Sequence, residues 1–433
     1  MSAADTIFAL ASGAGQAAIA VLRLSGPGSG PLLDRLCGDR PPPRRAALRT
    51  LRDATGQALD RAIVLWLPGP GSYTGEDGAE LHAHGGAAVV ASIVARLTGL
   101  GARPAEAGEF TRRAFLHGRM DLLQAEAIAD LIAAETAAQQ QQALRQLGGA
   151  LGALYRGWTE LLTQLLAQQE ALIDFPDEHL PAETADAMLA GIAALRAEIA
   201  AHLQDGRRGE RLREGLTIAV AGPPNAGKST LVNALAGRDV AIVAATPGTT
   251  RDVLETRLVL GGVPVTLLDT AGLRETGDAI EAEGVRRARA RLADADLVVL
   301  VRAADEAPDP APPRRGGRCL TVATKSDLGG DDPGADLSVS AVTGAGMDRL
   351  RARLDAIAGE LASLHGSPVL TRARHRAALT AAAEALARAE TSDLPELRGE
   401  DLRLALVGLG RITGQVGADA VLDAVFAQFC IGK

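Results

Sequence analysis

Residues 216–230 read LTIAVAGPPNAGKST: a short apolar run, a loop bounded by Gly222 and Gly227, and the start of the helix-compatible stretch STLVNALAG. The apolar run has the length and continuity of a strand buried on both faces. Its loop fits GxxxxGK[ST], and strand before, helix after is the context that gives this pattern meaning. Glycine-bounded amides wrap phosphate oxygens, Lys228 reaches the outer phosphates, and the Ser229 hydroxyl suits Mg²⁺. The stretch Asn225, Ala226, Gly227, Lys228, Ser229, Thr230 therefore marks an α/β nucleotide-binding domain.

Downstream motifs complete that reading. The apolar run VPVTLLD ends in DTAG, where Asp269 suits the metal side and Thr270, Ala271 and Gly272 suit sensing of a terminal phosphate. Between the two lies ATPGTTRD, residues 245–252, whose threonines suit a nucleotide-responsive switch. Further on, CLTVATKSDL supplies Thr324, Lys325, Ser326 and Asp327, whose carboxylate accepts from the donor edge of guanine. Ser340 and Ala341 of LSVSAVTG supply backbone for the guanine oxygen. Motifs in this order point to a guanine-specific P-loop protein and not to an ATPase. Two positions depart from the common pattern: Thr324 stands where NKxD has Asn, and Leu273 stands where Ras-like proteins carry the water-orienting Gln.

At 433 residues the chain exceeds one ordinary core, and ~150 residues per domain suggests about three. Residues 1–118 mix short β-like runs with Pro/Gly turns and read as an α+β domain. From residue 119 long amphipathic helices follow, with Leu122, Ala125, Ile128 and Ile132 at helical spacing, then Leu154, Trp158, Leu161 and Leu165. Strand and helix alternate over 216–356, and helices return over 357–433. The expected fold is multidomain α/β: an N-terminal α+β domain, an all-α domain (119–215 and 357–433), and a Ras-like nucleotide domain inserted into it, the alternative being two separate helical domains. The Gln139 to Gln142 run reads as a solvated helix face.

Cys37, Cys319 and Cys430 are odd in number and far apart, which argues against a disulfide framework or a zinc cluster. No apolar run reaches the roughly 18 residues of a membrane span, so a cytoplasmic protein is expected. The net charge of −8 argues against bulk affinity for nucleic acid. It leaves room for a local patch: Arg207, Arg208, Arg211 and Arg213 read either as a tRNA contact or as a solvated helix end. His82 and His84 have metal-like spacing without a nearby third ligand, which favours structural histidines.

PPNAGKST, ATPGTTRD and DTAGLRE, with the terminal FCIGK and the N-terminal SYTGEDGAELHAHGG and GEFTRRAFLHGRMDLLQAEAIADLI, resemble the bacterial tRNA modification GTPases of the MnmE (TrmE) family. The resemblance covers essentially the whole chain. It implies a K⁺- and Mg²⁺-dependent GTPase whose nucleotide domains pair face to face in a homodimer. Glu281 then takes the place of the missing Gln, Asn225 binds K⁺ with Ala244, Ala245, Thr246, Pro247, Gly248 and Thr249 forming the surrounding loop, and Thr250 joins Ser229 at Mg²⁺. The resemblance also implies that the N-terminal domain binds a 5-formyltetrahydrofolate-type donor through Arg23, Glu80, Arg119 and Lys433, with Cys430 a candidate participant in the chemistry. Arg119 and His117 stand where the family usually has Lys and Asn. With the flavoprotein MnmG in a heterotetramer, such a protein adds an aminomethyl or carboxymethylaminomethyl group at the 5-position of the tRNA wobble uridine. The competing class is a ribosome-assembly or signalling GTPase whose flanking domains bind RNA or protein.

Overall fold

The computed structural model describes residues 5–13, 15–174, 182–237, 255–269, 295–304, 318–329, 332–362, 369–415, 419–427, 429 and 432. The chain divides into two compact units, Met1–Ala129 with Gln146–Ala193 and Glu384–Lys433, and Asp130–Arg145 with Ala194–Ala383.

In the first unit, β1 (Ile7–Leu10), β2 (Ala17–Ser25), β3 (Ala47–Arg52), β4 (Ala58–Leu67), β5 (Gly78–Gly85) and β6 (Arg103–Pro104) form a six-stranded sheet in the order β3-β4-β5-β2-β1-β6. Only β1 and β6 pair in parallel. Period-two patterning sets the faces: in β4, Ala62, Val64 and Trp66 are buried, whereas Ile63 between them is exposed. Helices α1 (Ser29–Cys37) and α2 (Ala87–Gly99) cover the apolar face, placing Leu33, Leu36, Ile93 and Leu97 against Leu22, Leu24, Leu51 and Leu81. Arg23, between Leu22 and Leu24, points to the opposite face, directly across from Glu80.

The helices that follow are α3 (Glu109–Leu116), α4 (Leu122–Ala133), α5 (Ala137–Leu147), α6 (Ala150–Asp174), α7 (Ala182–Leu203) and α8 (Arg208–Glu214). Helical spacing in α6 holds, but its buried stripe is Leu151, Tyr155, Trp158, Leu162 and Leu165, with Leu154 and Leu161 only half-buried. The two stripes share Trp158 and Leu165. Tyr155 packs on Trp158 with ring centroids 5.5 Å apart, and its larger apolar surface draws that side inward.

The second unit holds β7 (Leu216–Ala221), α9 (Lys228–Ala236), β8 (Glu255–Leu260), β9 (Val263–Asp269), β10 (Leu297–Ala303), β11 (Arg318–Thr324), β12 (Leu337–Ser338) and α10 (Met347–Ala362). The sheet order is β12-β11-β10-β7-β9-β8, parallel except for the β8/β9 hairpin. Strands buried on both faces explain the near-continuous apolar runs of β9 and β10. The chain closes with α11 (Ala373–Thr391), α12 (Pro395–Thr413) and α13 (Asp419–Phe426). In the first unit α12 lies along α6, and α13 sets Leu422, Val425 and Phe426 against Leu122 and Phe115, with Arg112 paired to Asp423 at 2.9 Å.

Two expectations about polar runs are corrected. The glutamine run is not a uniformly solvated face: Gln142 is buried and donates to the Gly209 carbonyl at 3.0 Å, and Gln139 donates to the Arg213 carbonyl at 3.1 Å. Side-chain amides can satisfy backbone carbonyls that a Leu would leave unpaired. The arginine run is not a simple solvated end, although Arg207 and Arg208 are exposed. Arg211 pairs with Asp296 at 2.7 Å, Arg213 with Asp130 at 2.8 Å, and Arg207 with the buried Glu210 at 2.6 Å. Arg376 of α11 joins the same cluster, reaching Glu210 at 2.8 Å and Asp205 at 2.6 Å.

Candidate functional site

The phosphate loop leaves β7 and enters α9 through two left-handed residues, Asn225 at φ 63 and Gly227 at φ 81. Asparagine is among the few side chains that tolerate this region, and glycine adopts it without cost from a Cβ. At Gly222 a Cβ would collide with the Val301 carbonyl of β10, so only glycine lets the loop leave the sheet there. Lys228, buried at the start of α9, donates from Nζ to the carbonyls of Gly222 at 3.0 Å and Pro223 at 2.8 Å, which holds the ammonium across the loop. Next to it, Ser229 Oγ donates to Asp269 Oδ2 at 2.6 Å. A hydroxyl and a carboxylate together are the hard oxygen donors that Mg²⁺ takes, so these residues fit that ion.

The residues expected to read the base lie at the ends of β11 and β12. Thr324 Oγ1 donates to the Ala226 carbonyl at 2.6 Å, with the Arg302 carbonyl at 3.1 Å, and so ties β11 to the phosphate loop. Lys325, at φ 58, turns the chain into the short helix Ser326–Leu328, which leaves Asp327 exposed. Ser326 donates its N–H to the Val339 carbonyl at 3.2 Å, placing this loop beside Ser340 and Ala341. Ser340 is buried; its N–H donates to the Ala345 carbonyl at 2.9 Å and its hydroxyl accepts from the Thr343 N–H at 3.2 Å. These loops lie at the carboxyl ends of parallel strands, where α/β sheets bind ligands. Ala244, Ala245, Thr246, Pro247, Gly248, Thr249, Thr250, Thr270, Ala271, Gly272, Leu273 and Glu281 lie outside the described residues.

On the face of the N-terminal sheet opposite α1 and α2, Arg23 donates from Nε and Nη2 to Glu80 Oε1 at 3.1 and 3.0 Å. Its guanidinium lies 5.5 Å from the Tyr73 ring centroid and 6.0 Å from that of Phe110. Glu80 Oε2 is 3.3 Å from His82 Nε2, so Arg23 and His82 hold the two carboxylate oxygens. The cluster sets a carboxylate held by two nitrogen donors beside the rings of Tyr73 and Phe110. Arg119 is exposed after α3, with its aliphatic stem beside Gly75, and His117 Nδ1 lies 2.8 Å from the Thr74 carbonyl. Cys430 and Lys433 lie outside the described residues; of their neighbours, Phe429 is buried with α13 and Gly432 packs against Leu10 at the end of β1.

Several side chains here were missed by motif reasoning. Tyr73 shares a 2.9 Å hydrogen bond with Thr111, and burial pushes its hydroxyl above the ordinary range despite that bond and the nearby Arg23. Behind it Arg113 binds Asp5 at 2.7 Å, Glu109 at 2.9 Å and Glu76 at 3.2 Å, and Glu76 accepts from Ser25 at 2.7 Å. Tyr73 and Glu76 lie within SYTGEDGAELHAHGG, and Glu109, Thr111 and Arg113 within GEFTRRAFLHGR, but neither motif singles out these side chains. His84 pairs with Asp60 at 2.7 Å, and among the described residues no group of three or more His, Cys, Asp or Glu is placed to hold a metal.

Among the described residues no helix is long and apolar enough to cross a membrane. The sequence model of the GTP-binding protein TrmE N-terminus matches residues 6–119, and that of the MnmE helical domain matches residues 122–430. The tRNA modification GTPase MnmE of Gluconacetobacter diazotrophicus is 57% identical over 99% of this chain and 98% of its own. Those of Granulibacter bethesdensis, 55% identical over 99% of both chains, and Acidiphilium cryptum, 56% identical over the whole of both, are similar. A solved G domain, that of the T. maritima FeoB iron transporter, is 26% identical over 34% of this chain and 99% of its own, at a TM-score of 0.24 that is too low to carry an argument. Matched along its length by both domain models and by relatives more than half identical to it, the chain belongs to the MnmE (TrmE) family of tRNA modification GTPases.

Proposed function

We propose that this chain hydrolyses GTP with Mg²⁺ and K⁺ and that the turnover gates modification of the tRNA wobble uridine at its 5-position, in company with a flavoprotein of the MnmG kind. The observation that carries the reading is the Ser229–Asp269 pair at 2.6 Å beside Lys228, in a chain of this family. Lys228 binds the outer phosphates, Ser229 and Thr250 hold Mg²⁺, and Asp327 selects guanine. Asn225, with Ala244, Thr246 and Thr249, is proposed to hold K⁺. That ion, when bound, supplies the positive charge that an arginine finger brings elsewhere. Glu281 is proposed to orient the attacking water.

Arg23, Glu80, Arg119 and Lys433 are proposed to bind a 5-formyltetrahydrofolate-type donor, with Cys430 taking part in the transfer. The Arg23–Glu80 pair and the packing of Gly432 against β1 support placing the terminal segment by that donor. The same reading takes 1–118 as the folate and dimerisation domain, 119–215 with 357–433 as the helical domain, and 216–356 as the GTPase domain of a cytoplasmic homodimer that acts on tRNA.

The test is GTP turnover by the purified protein in K⁺ against Na⁺, over a range of protein concentrations, with ATP as control. Stimulation by K⁺ that rises with concentration is expected, and Glu281→Ala is expected to remove most turnover while GTP affinity stays within a few-fold. Equal rates in both salts overturn the K⁺ assignment. Folate binding that depends on Lys433 separates this function from that of a ribosome-assembly or signalling GTPase.

A further inference from the structure

We propose that Thr324 separates two tasks that one asparagine can perform together: it holds the phosphate loop and leaves the 7-nitrogen of guanine unread. The inference rests on the GTP-binding reading above and concerns which edge of the base is recognised. Guanine presents acceptors at its 7-nitrogen and 6-oxygen, and donors at its ring NH and 2-amino group. A threonine hydroxyl has a single proton. Among the described residues both groups that Thr324 Oγ1 reaches are acceptors, the Ala226 carbonyl at 2.6 Å and the Arg302 carbonyl at 3.1 Å. Whichever of the two takes the proton, it points into the protein.

What Thr324 has left to offer a base is lone pairs and a methyl group, and neither binds an acceptor nitrogen. An asparagine amide carries two protons, one for a carbonyl of the loop and one for a second acceptor. The exchange keeps the first bond and gives up the second. Ala226 lies between the left-handed Asn225 and Gly227, so the hydroxyl fixes the loop where its backbone turns toward phosphate. Base selection then falls to Asp327, an acceptor when ionised and suited to the ring NH and 2-amino group, and to backbone near Ala341 for the 6-oxygen.

The experiment is competition of GTP, 7-deaza-GTP, inosine triphosphate and ATP against a fluorescent GDP analogue on the full-length protein. 7-Deaza-GTP, which has C–H in place of the 7-nitrogen, is expected to bind within about twofold of GTP, whereas inosine triphosphate, lacking the 2-amino group, binds about tenfold more weakly. Thr324→Asn is expected to open a preference of about threefold to tenfold for GTP over 7-deaza-GTP. Thr324→Val, which removes the tether and keeps the shape, weakens GTP and 7-deaza-GTP alike. A native protein that prefers GTP over 7-deaza-GTP by tenfold or more overturns the proposal, whether or not the variants fold. Binding of ATP as tight as GTP would instead defeat the guanine reading on which it stands.

Discussion

Ser229 Oγ donates to Asp269 Oδ2 across 2.6 Å, joining the first turn of α9 to the last residue of β9. The expected consequence is that Ser229→Ala raises the Mg²⁺ concentration needed for half-maximal turnover and lowers turnover itself, on the order of 10²-fold for a lost charge-stabilising contact. Binding of GDP in the absence of Mg²⁺ should change little. Titrations of Mg²⁺ with native and variant protein check this, and an unshifted Mg²⁺ curve would remove Ser229 from the metal site.

Asp327 stands exposed at the mouth of the base loop. Asp327→Asn turns one acceptor oxygen into a donor, so GTP affinity should fall by at least about tenfold while xanthosine triphosphate, with a carbonyl at the 2-position, gains. Competition binding reads both changes at once. Equal losses for the two nucleotides would assign Asp327 to loop folding.

Arg113 is a buried cation among Asp5, Glu76 and Glu109. Arg113→Met leaves those carboxylates short of a partner and should cost about 3–5 kcal/mol of stability. Burial pushes the Glu109 carboxyl up, and hydrogen bonds from Arg103, the Glu106 amide and Arg113 outweigh it, so the group titrates below its ordinary value. A carboxylate depressed in the folded state adds stability that is present above its unfolded pKa and disappears as pH falls through the folded one. Chemical denaturation at a series of acidic pH values should therefore show the loss due to Arg113→Met shrinking as Glu109 protonates.

Burial holds His202 below its ordinary value, with Arg376 and His375 pushing the same way and Asp205 opposing. The folded state thus favours the neutral ring. Stability should decline as pH drops below the unfolded value of roughly 6.5 and continue to fall through the folded pKa. His202→Gln should flatten that part of the profile, measured as the urea midpoint between about pH 7.5 and 5.

The part of the site that was legible in the sequence is the part where chemistry restricts residue type over a short span. Gly222 through Ser229 could be read because close backbone approach, left-handed turns and a phosphate-binding lysine leave few alternatives. Pairings between distant residues were not legible. Gln142 meets Gly209 across 67 positions and Arg211 meets Asp296 across 85, so the first was read as solvated and the second as either a tRNA contact or a solvated helix end. Arg23 and Glu80 were named through resemblance, yet His82 and Tyr73 beside them emerge only once the register of β2 with β5 and the course of the Tyr73 loop are known. In α6 the spacing announced a helix, while the choice between adjacent stripes depended on the Tyr155–Trp158 packing.

The ion pairs of Arg376 with Asp205 and Glu210 join the segment that leads into the nucleotide domain to the segment that follows it. The chain before β7 and the chain after α10 are thereby held together at one place. Strands and loops between the two segments can then shift without pulling the flanking helices apart, because the ion pairs and not the intervening residues set their spacing.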